Sequence, residues 1–585
     1  MAELQRRSLF RRIVGGFFAW FGFLVLLLVV IGIVVGLWVA PRGPRIGDDT
    51  VLTIDLTQPL TDGPPPASFE RVLLGGRPTL RDTIEAIGIA GKDSRVKGLV
   101  ARLGGGGFQL AQVQELRDAI TGFRANGKFA YGYADSFGEL GGGTGIYYLA
   151  TAFEQLWLQP YSSIGLVGLR AEQPFIRGTL DKLGVTARFD HREEYKTAMN
   201  LLTEKQMTPS HREETEGLLK SMFGQIVRGI AEARHLTEGQ VRALVDQGPF
   251  SSEEALAAHL IDHLGGRDDA MAAARAKAGG GDKLIKLARY AESQGPAHRS
   301  GPTIAVIDAD GLIQSGGGGA SPFATATSIG ADDLARAFRE ATSDPKVRAI
   351  VFRIDSPGGS AVASETIWEA TLRAKKAGKP LVVSMGNVAG SGGYYIAAAA
   401  STIVAEPGTL TGSIGVVGGK FLIDGLSEKL GVTWDSAQIG ANAGLLSMTQ
   451  DFTPDGHARF EKFLDNVYAG FKDRVAQGRK LAPAAVEAVA KGRVWTGEEA
   501  RANGLVDALG GFDVALDLAK HAAGITIDSD VTLKNFPKEG RSLWSRLVDR
   551  TEDEAMVAPL RPYLRLLSLA TAPPGALTME PLVIQ

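Results

Sequence analysis

The run Ala349-Ile350-Val351-Phe352-Arg353 returns, in kind, a run met 251 residues earlier, Gly98-Leu99-Val100-Ala101-Arg102. Both are short, apolar and closed by an arginine, as a strand buried on both faces reads. The correspondence continues outward from them. Gly127-Lys128 answers to Gly378-Lys379, and Tyr147-Tyr148-Leu149-Ala150 to Tyr394-Tyr395-Ile396-Ala397. Ser163-Ile164-Gly165 matches Ser413-Ile414-Gly415, and Gly184-Val185-Thr186 matches Gly431-Val432-Thr433. Glu253-Glu254-Ala255 with Gly265-Gly266 pairs with Glu498-Glu499-Ala500 and Gly510-Gly511. The separation drifts only between 245 and 251, and the order never changes. Six collinear pairs predict two homologous domains, 46–295 and 300–535.

Within the later copy, 303–307, 349–352 and 380–385 read as buried strands, 332–342 as a helix with one apolar face and 364–376 as a further helix. Strand–helix–strand alternation predicts an α/β fold with mostly parallel pairing. The stretch 291–302, with Gly, Pro and Ser, reads as the joint between the copies, and 536–585 as a peripheral tail.

Composition narrows the function classes. Apolar residues make up 44% and charged ones 22%, enough apolar content for sizeable cores and too little charge for a disordered chain. Lys plus Arg number 63 against 65 Asp plus Glu, so no global charge recruits nucleic acid. The absence of cysteine excludes disulfides, thiolate nucleophiles and cysteine-ligated metals. From 13 to 39 no residue is charged, a run longer than the roughly 20 residues that cross a hydrocarbon core. Arg6, Arg7, Arg11 and Arg12 precede it. The positive-inside rule then predicts a cytoplasmic tail (1–12), one transmembrane helix (13–40) and a body on the far side of an inner, cytoplasmic membrane.

Chemistry concentrates in two glycine-rich segments of the later copy, Asp355-Ser356-Pro357-Gly358-Gly359-Ser360 and Ala389-Gly390-Ser391-Gly392-Gly393-Tyr394-Tyr395. A serine framed by glycines between strand and helix can be held as a nucleophile in a tight turn. Gly359 and Gly392 are candidates for the two backbone N–H groups of an oxyanion hole. Taken one at a time, either segment reads as a tight connection.

Together with Leu410-Thr411-Gly412-Ser413-Ile414-Gly415-Val416, these segments resemble the long form of the signal peptide peptidase A (protease IV) family of membrane-anchored serine peptidases. The resemblance spans nearly the whole chain. It implies a fold similar to the ClpP/crotonase superfamily in tandem, a serine/lysine dyad, no cofactor, apolar signal peptides as substrates and a homotetramer. Counting forward from Gly184-Val185-Thr186 reaches Tyr195-Lys196-Thr197-Ala198, similar to the family's general-base lysine motif. An offset of 247 carries Lys196 onto Ala443 and Ser391 back onto Thr144, so each copy keeps what the other has lost. The expected roles are Ser391 as nucleophile, Lys196 as general base and acid, and Ser413, by resemblance, as the residue orienting the lysine. A lysine base must be mostly neutral near pH 7, so burial is expected, with Glu193 and Glu194 turned away. The first copy has 104–107, all glycine, where the second has Asp-Ser-Pro-Gly, with Phe108 opposite Gly359, and reads as having lost its oxyanion hole.

Other readings are weaker. Ser94-x-x-Lys97 and Ser343-x-x-Lys346 fit a penicillin-binding pattern, yet both fall just before a buried strand and read as turns. His191 and His457 lie outside glycine frames and read as surface histidines, and no H-E-x-x-H pair suggests zinc. The run 316–319 lacks the ending of a phosphate loop. A crotonase-like acyl-CoA enzyme, or an inactive peptide-binding membrane scaffold, remains the alternative; a fluorophosphonate label at Ser391 separates both from a peptidase.

Overall fold

The computed structural model describes residues 46–63, 78–281, 283–295, 298–318, 328–537 and 576–578. The segment 13–39 lies outside them, and no helix among the described residues is long and apolar enough to cross a membrane.

The earlier half carries β1 (Thr50–Asp55), β2 (Val96–Leu103), β3 (Phe129–Ala134), β4 (Gln155–Leu158), β5 (His263–Leu264) and β6 (Leu284–Lys286). They form one parallel sheet in the order β5-β4-β3-β2-β1-β6. The later half carries β7 (Thr303–Asp310), β8 (Val347–Ser356), β9 (Leu381–Gly390), β10 (Thr402–Ala405), β11 (Ala508–Leu509) and β12 (Thr532–Phe536). Their parallel order is β11-β10-β9-β8-β7-β12, the same path. The chain is therefore α/β, with one sheet order used twice.

Burial explains why these strands read as continuous apolar runs. Ile304, Val306, Ala349 and Val351 face Phe512, Leu516 and Ala519, while Ile307, Ile350 and Phe352 face the core holding Phe338 and Ile367. Successive residues point to opposite faces, and helices cover both. Helix ends recur as well. Pro209–Arg234 and Pro454–Arg479 each have 26 residues, a threonine cap (Thr208, Thr453) and a left-handed residue at the far end (His235, Lys480). The stretch expected to join the halves is shortened by the helix Leu287–Gln294, which Leu287 and Tyr290 bury against the first sheet. Of the expected peripheral tail, Ala576–Thr578 runs antiparallel to the strand Gly358–Ser360.

Among the contacts that join the halves are a strand pair and a buried arginine. The strand Thr186–His191 of the first pairs antiparallel with Val417–Leu422 of the second. Deeper in, Arg353 on β8 is buried, and all five of its N–H donors find acceptors. Its Nε and Nη2 donate to Asp62 at 2.8 and 2.7 Å, Nη2 also to Glu115 at 2.7 Å, and Nη1 to Ser384 Oγ and Met385 O at 2.9 and 3.2 Å. Despite its burial, the Arg353 guanidinium holds Asp62 below the usual carboxylate range. Asp355, which has no such partner, is pushed up to about 7 by burial and by the charge of Asp62.

Replacing Arg353 by methionine leaves Asp62 and Glu115 buried without a cation. The variant should lose about 3–5 kcal/mol, read as a lower urea midpoint. Arg353→Lys should recover only part of this, since an ammonium lacks the five-donor fork.

Candidate active site

Ser391 occupies the turn between β9 and the short helix Gly392–Ala397. Its backbone is forced to φ 54° and ψ −116°, a conformation an L-residue adopts only when its surroundings over-determine it. They do so here: Ser391 N donates to Gly412 O at 2.8 Å, and Tyr395 N returns a bond to Ser391 O at 2.9 Å. Gly412 ends the strand Leu410–Gly412, which pairs with β9, so the next residue, Ser413, is delivered beside Ser391. Ser413 also has a positive φ, 51°, and is fixed by its N–H donating to Arg493 O at 2.8 Å.

Lys196 comes from the other half. It sits in the loop between the strand Thr186–His191 and the helix Asn200–Thr203, rather than on a solvated helix face. Its side chain is 1% exposed. Nζ lies 2.7 Å from Ser391 Oγ, 2.9 Å from Ser413 Oγ and 3.1 Å from Ser413 O. A neutral amine has two N–H donors and one lone pair. The Ser413 carbonyl can only accept, so one N–H goes to it. With the second on Ser413 Oγ, the lone pair is left for the Ser391 hydroxyl proton. Burial pushes the Lys196 amine down to about 7, against the opposing charge of Glu214. Relative to free lysine this disfavours the ammonium by about 5 kcal/mol, the range a buried amine requires to act as a base at neutral pH. Glu193 and Glu194 are exposed, with Glu194 accepting from Lys491 Nζ at 3.3 Å, so both point away as expected.

The two glycines named from the sequence adjoin one another. A Cβ on Gly392 would lie 3.1 Å from Gly359 N. Gly392 opens its helix, where the first N–H groups have no intrahelical acceptor. Gly359 lies in the strand Gly358–Ser360 with φ 153°, and a Cβ there would strike Ile313 O at 2.1 Å, so only glycine fits.

In the earlier half the equivalent serine position is Thr144, whose Oγ1 accepts the N–H groups of Val167 and Gly168 at 3.2 and 3.1 Å. That hydroxyl serves as a backbone cap. The run 104–107 passes from β2 to the helix Leu110–Ala125 without a strand like Gly358–Ser360. His457 pairs with Asp190 at 2.8 Å, and His191 Nδ1 meets Glu193 O at 2.8 Å, so both histidines have structural partners. Lys97 is the second residue of β2, just after the turn that holds Ser94, and Lys346 stands at the turn leading into β8.

Two residues of the site escaped the sequence reading. Gly492, at φ 79°, packs directly on Lys196, and a Cβ there would fall 2.5 Å from Lys196 N. Glu214 is buried on the helix Pro209–Arg234, with Oε1 accepting Val494 N at 2.6 Å and Oε2 3.5 Å from Thr197 Oγ1. It ties the lysine loop to the strand Val494–Thr496, which pairs with Leu410–Gly412. Neither carries a motif: Gly492 is a lone glycine, and Glu214 stands in a charged helical run, His211-Arg212-Glu213-Glu214.

A model of peptidase family S49 matches residues 136–280 and 373–526. "Serine protease SPPA, chloroplastic" of Arabidopsis thaliana is 33% identical over 78% of this chain and 67% of that protein. "Protease 4" of Salmonella typhi is 31% identical over 88% of this chain and 87% of its own length. Among solved structures, a membrane-bound stomatin-specific protease is 18% identical and covers 40% of this chain and 98% of its own, at a TM-score of 0.25.

Glu214→Gln keeps an acceptor for Val494 N and removes the charge that favours the ammonium. The Lys196 amine should then lose its proton at lower pH than in the parent chain, which a titration of its Cε and Nζ resonances by NMR would read directly.

Proposed function

We propose a reaction path that starts from a plain premise: this chain belongs to peptidase family S49 and is a serine endopeptidase. The observation that carries the path is the 2.7 Å approach of a buried lysine amine, with its pKa near 7, to the hydroxyl of Ser391.

Ser391 Oγ attacks the scissile carbonyl as its proton passes to the neutral Lys196 Nζ. The carbonyl oxygen becomes an oxyanion, which the N–H groups of Gly359 and Gly392 stabilise. As the intermediate collapses, the C–N bond breaks and the Lys196 ammonium returns the proton to the leaving amine. An ester to Ser391 remains. Water, deprotonated by the same amine, then hydrolyses that ester and restores both side chains. Ser413 holds the amine through its hydroxyl and carbonyl so that the lone pair stays aimed at Ser391.

The two halves are read as a tandem duplication of a ClpP/crotonase-like unit, supported by the shared strand order and the six collinear sequence pairs. The substrates proposed are extended apolar peptides, cleaved signal peptides above all, lying along Gly358–Ser360. That edge pairs antiparallel with the chain's own Ala576–Thr578, which supports its use for extended backbone. The apolar run 13–39 supports an anchor in the inner membrane, with the catalytic body outside the cytoplasm and assembled as a homo-oligomer, a tetramer by family resemblance.

Ser391→Ala and Lys196→Ala should each abolish peptide hydrolysis, whereas Thr144→Ala should leave it intact. Lys196→Arg should also be inactive, because a guanidinium does not give up its proton. In the parent enzyme kcat/KM should rise with pH through about 7 as the amine becomes neutral and fall away below it. Hydrolysis retained by purified Lys196→Ala, or a flat profile across pH 6–8, would overturn the assignment. Gly492→Ala should lower kcat by about a hundredfold, since it pushes Lys196 off its hydrogen-bonding position.

A further inference from the structure

The turn at Ser391 opens onto a helix of only six residues, Gly392–Ala397. A helix this short does not hold itself, so its orientation comes from what its side chains grip. The earlier half has a counterpart, Thr144–Ala150, without a nucleophile, and comparison shows which grips belong to the fold alone. Tyr394 and Tyr147 are such a pair. The Tyr394 hydroxyl donates to Leu505 O at 2.9 Å, and the Tyr147 hydroxyl to Leu260 O at 2.7 Å.

The next tyrosine is gripped differently in the two halves. The Tyr395 hydroxyl donates to Glu365 Oε2 at 2.5 Å. Arg474 holds the same carboxylate, with Nη2 donating to Oε1 at 2.5 Å and Nε to Oε2 at 3.1 Å. Its guanidinium also lies over the Trp368 ring, 4.2 Å from the centroid. Burial would raise the Glu365 carboxyl, yet the bonds from Arg474 and Tyr395 hold it below the usual carboxylate range. An ion pair between the helices Ala361–Lys376 and Pro454–Arg479 therefore seats Tyr395.

Counting along the matched helices shows what stands at these places in the earlier half. Leu110–Ala125 and Ala361–Lys376 both have 16 residues, so Gln114 answers to Glu365 and Arg117 to Trp368. Pro209–Arg234 and Pro454–Arg479, both of 26 residues, set Gly229 against Arg474. The cation has thus changed helices. Arg117 lies over the Tyr148 ring, 3.9 Å from the centroid, and its Nη2 donates to Gly229 O at 3.4 Å. The carboxylate is missing altogether. Gln114 is neutral and uses its amide elsewhere, accepting Gly408 N at 2.7 Å and donating to Gln225 Oε1 at 3.0 Å. Both halves keep an arginine at this helix, but only beside the nucleophile does a carboxylate join arginine to tyrosine.

Tyr395 N donates to Ser391 O at 2.9 Å, so the residue seated by the ion pair also holds the backbone of the nucleophile. Gly392, the first residue of the helix, carries one of the N–H groups assigned to the oxyanion hole. A backbone at φ 54° and ψ −116° keeps its shape only while its surroundings hold it. We propose that Glu365 and Arg474 are positioning residues of the peptidase site, acting through Tyr395 to fix the Ser391 hydroxyl and the Gly392 N–H against the reacting carbonyl. This rests on reading Ser391 as the nucleophile. None of the three side chains transfers a proton in that path. Their loss therefore weakens binding of the transition state and leaves substrate binding and the Lys196 titration as they were.

The test uses the full-length protein in detergent micelles. Tyr395→Phe, Glu365→Ala and Arg474→Met should each lower kcat about tenfold or more with KM within about twofold, and slow labelling of Ser391 by a fluorophosphonate in proportion. The midpoint of the activity profile should stay near pH 7, since Lys196 is untouched. Tyr395→Phe with Glu365→Ala should lose no more than either alone, because both break one chain of contacts. Glu365→Gln keeps an acceptor for Tyr395 and Arg474 and should return kcat to within about threefold of the parent. Tyr148→Phe makes the same deletion in the half without a nucleophile and should leave kcat unchanged. Equal falls in kcat for Tyr148→Phe and Tyr395→Phe, or a change confined to KM, overturns the proposal. Labelling and hydrolysis are followed separately. A parent chain that takes the label at Ser391 but cuts no peptide rejects the peptidase reading, while the labelling rates of the variants still decide the positioning role. A parent chain that cuts peptide, with variants that take the label at its rate, rejects the positioning role alone.

Discussion

A lysine amine enclosed by protein is the constraint on which the rest of this molecule depends. Lys196 cannot stay neutral near pH 7 in water, and no single loop can exclude water from it. The fold solves this by closing two halves over it. Gly415 and Gly492 bring backbone against its stem, Ser413 takes its two N–H groups, and Ser391 faces its lone pair. The carboxylate of Glu214 works against this burial and favours the ammonium. Desolvation and one nearby charge thus act in opposite directions, and their balance places the titration where a general base is useful.

Holding such a site requires the halves to meet in one geometry, and polar contacts do much of the specifying. Arg353 reaches across to Asp62 and Glu115 while also bonding Ser384 and Met385 on the strand that leads to Ser391. A buried cation with every donor satisfied admits few alternative dockings. The same argument applies at the outer seam, where the register of Thr186–His191 on Val417–Leu422 sets the approach of the lysine loop. A slip of one residue there would turn Phe189 and Ala187 away from their apolar neighbours.

Much of this was legible in the sequence because strands buried on both faces leave a strong trace. The matching runs at 98–102 and 349–353 became β2 and β8, which hold the same place in two sheets of one order. The Ser391 turn was legible for a local reason: a serine framed by glycines announces a backbone that other residues cannot follow. Lys196 was found only by comparing one half with the other, since its own neighbours, Glu193 and Glu194, read as a solvated surface. What stayed hidden depends on tertiary packing alone. Glu214 looks like any acid of an amphipathic helix until Val494 N is seen donating to it. Gly492 looks like a tight turn until Lys196 is seen against it. The joint expected at 291–302 proved shorter because Tyr290, reaching Asp93 at 3.0 Å, holds the helix Leu287–Gln294 on the first sheet.

Dividing the reactive pair between distant stretches of chain also has a consequence in time. A ribosome releases the lysine long before the serine, and Gly492 and Val494, which seat the lysine, emerge later still. A nascent or clipped polypeptide therefore holds a protonated amine in one fragment and an unactivated alcohol in another. Destructive capacity arrives only with a finished molecule, so a protein that cuts other chains is harmless while it is itself being made.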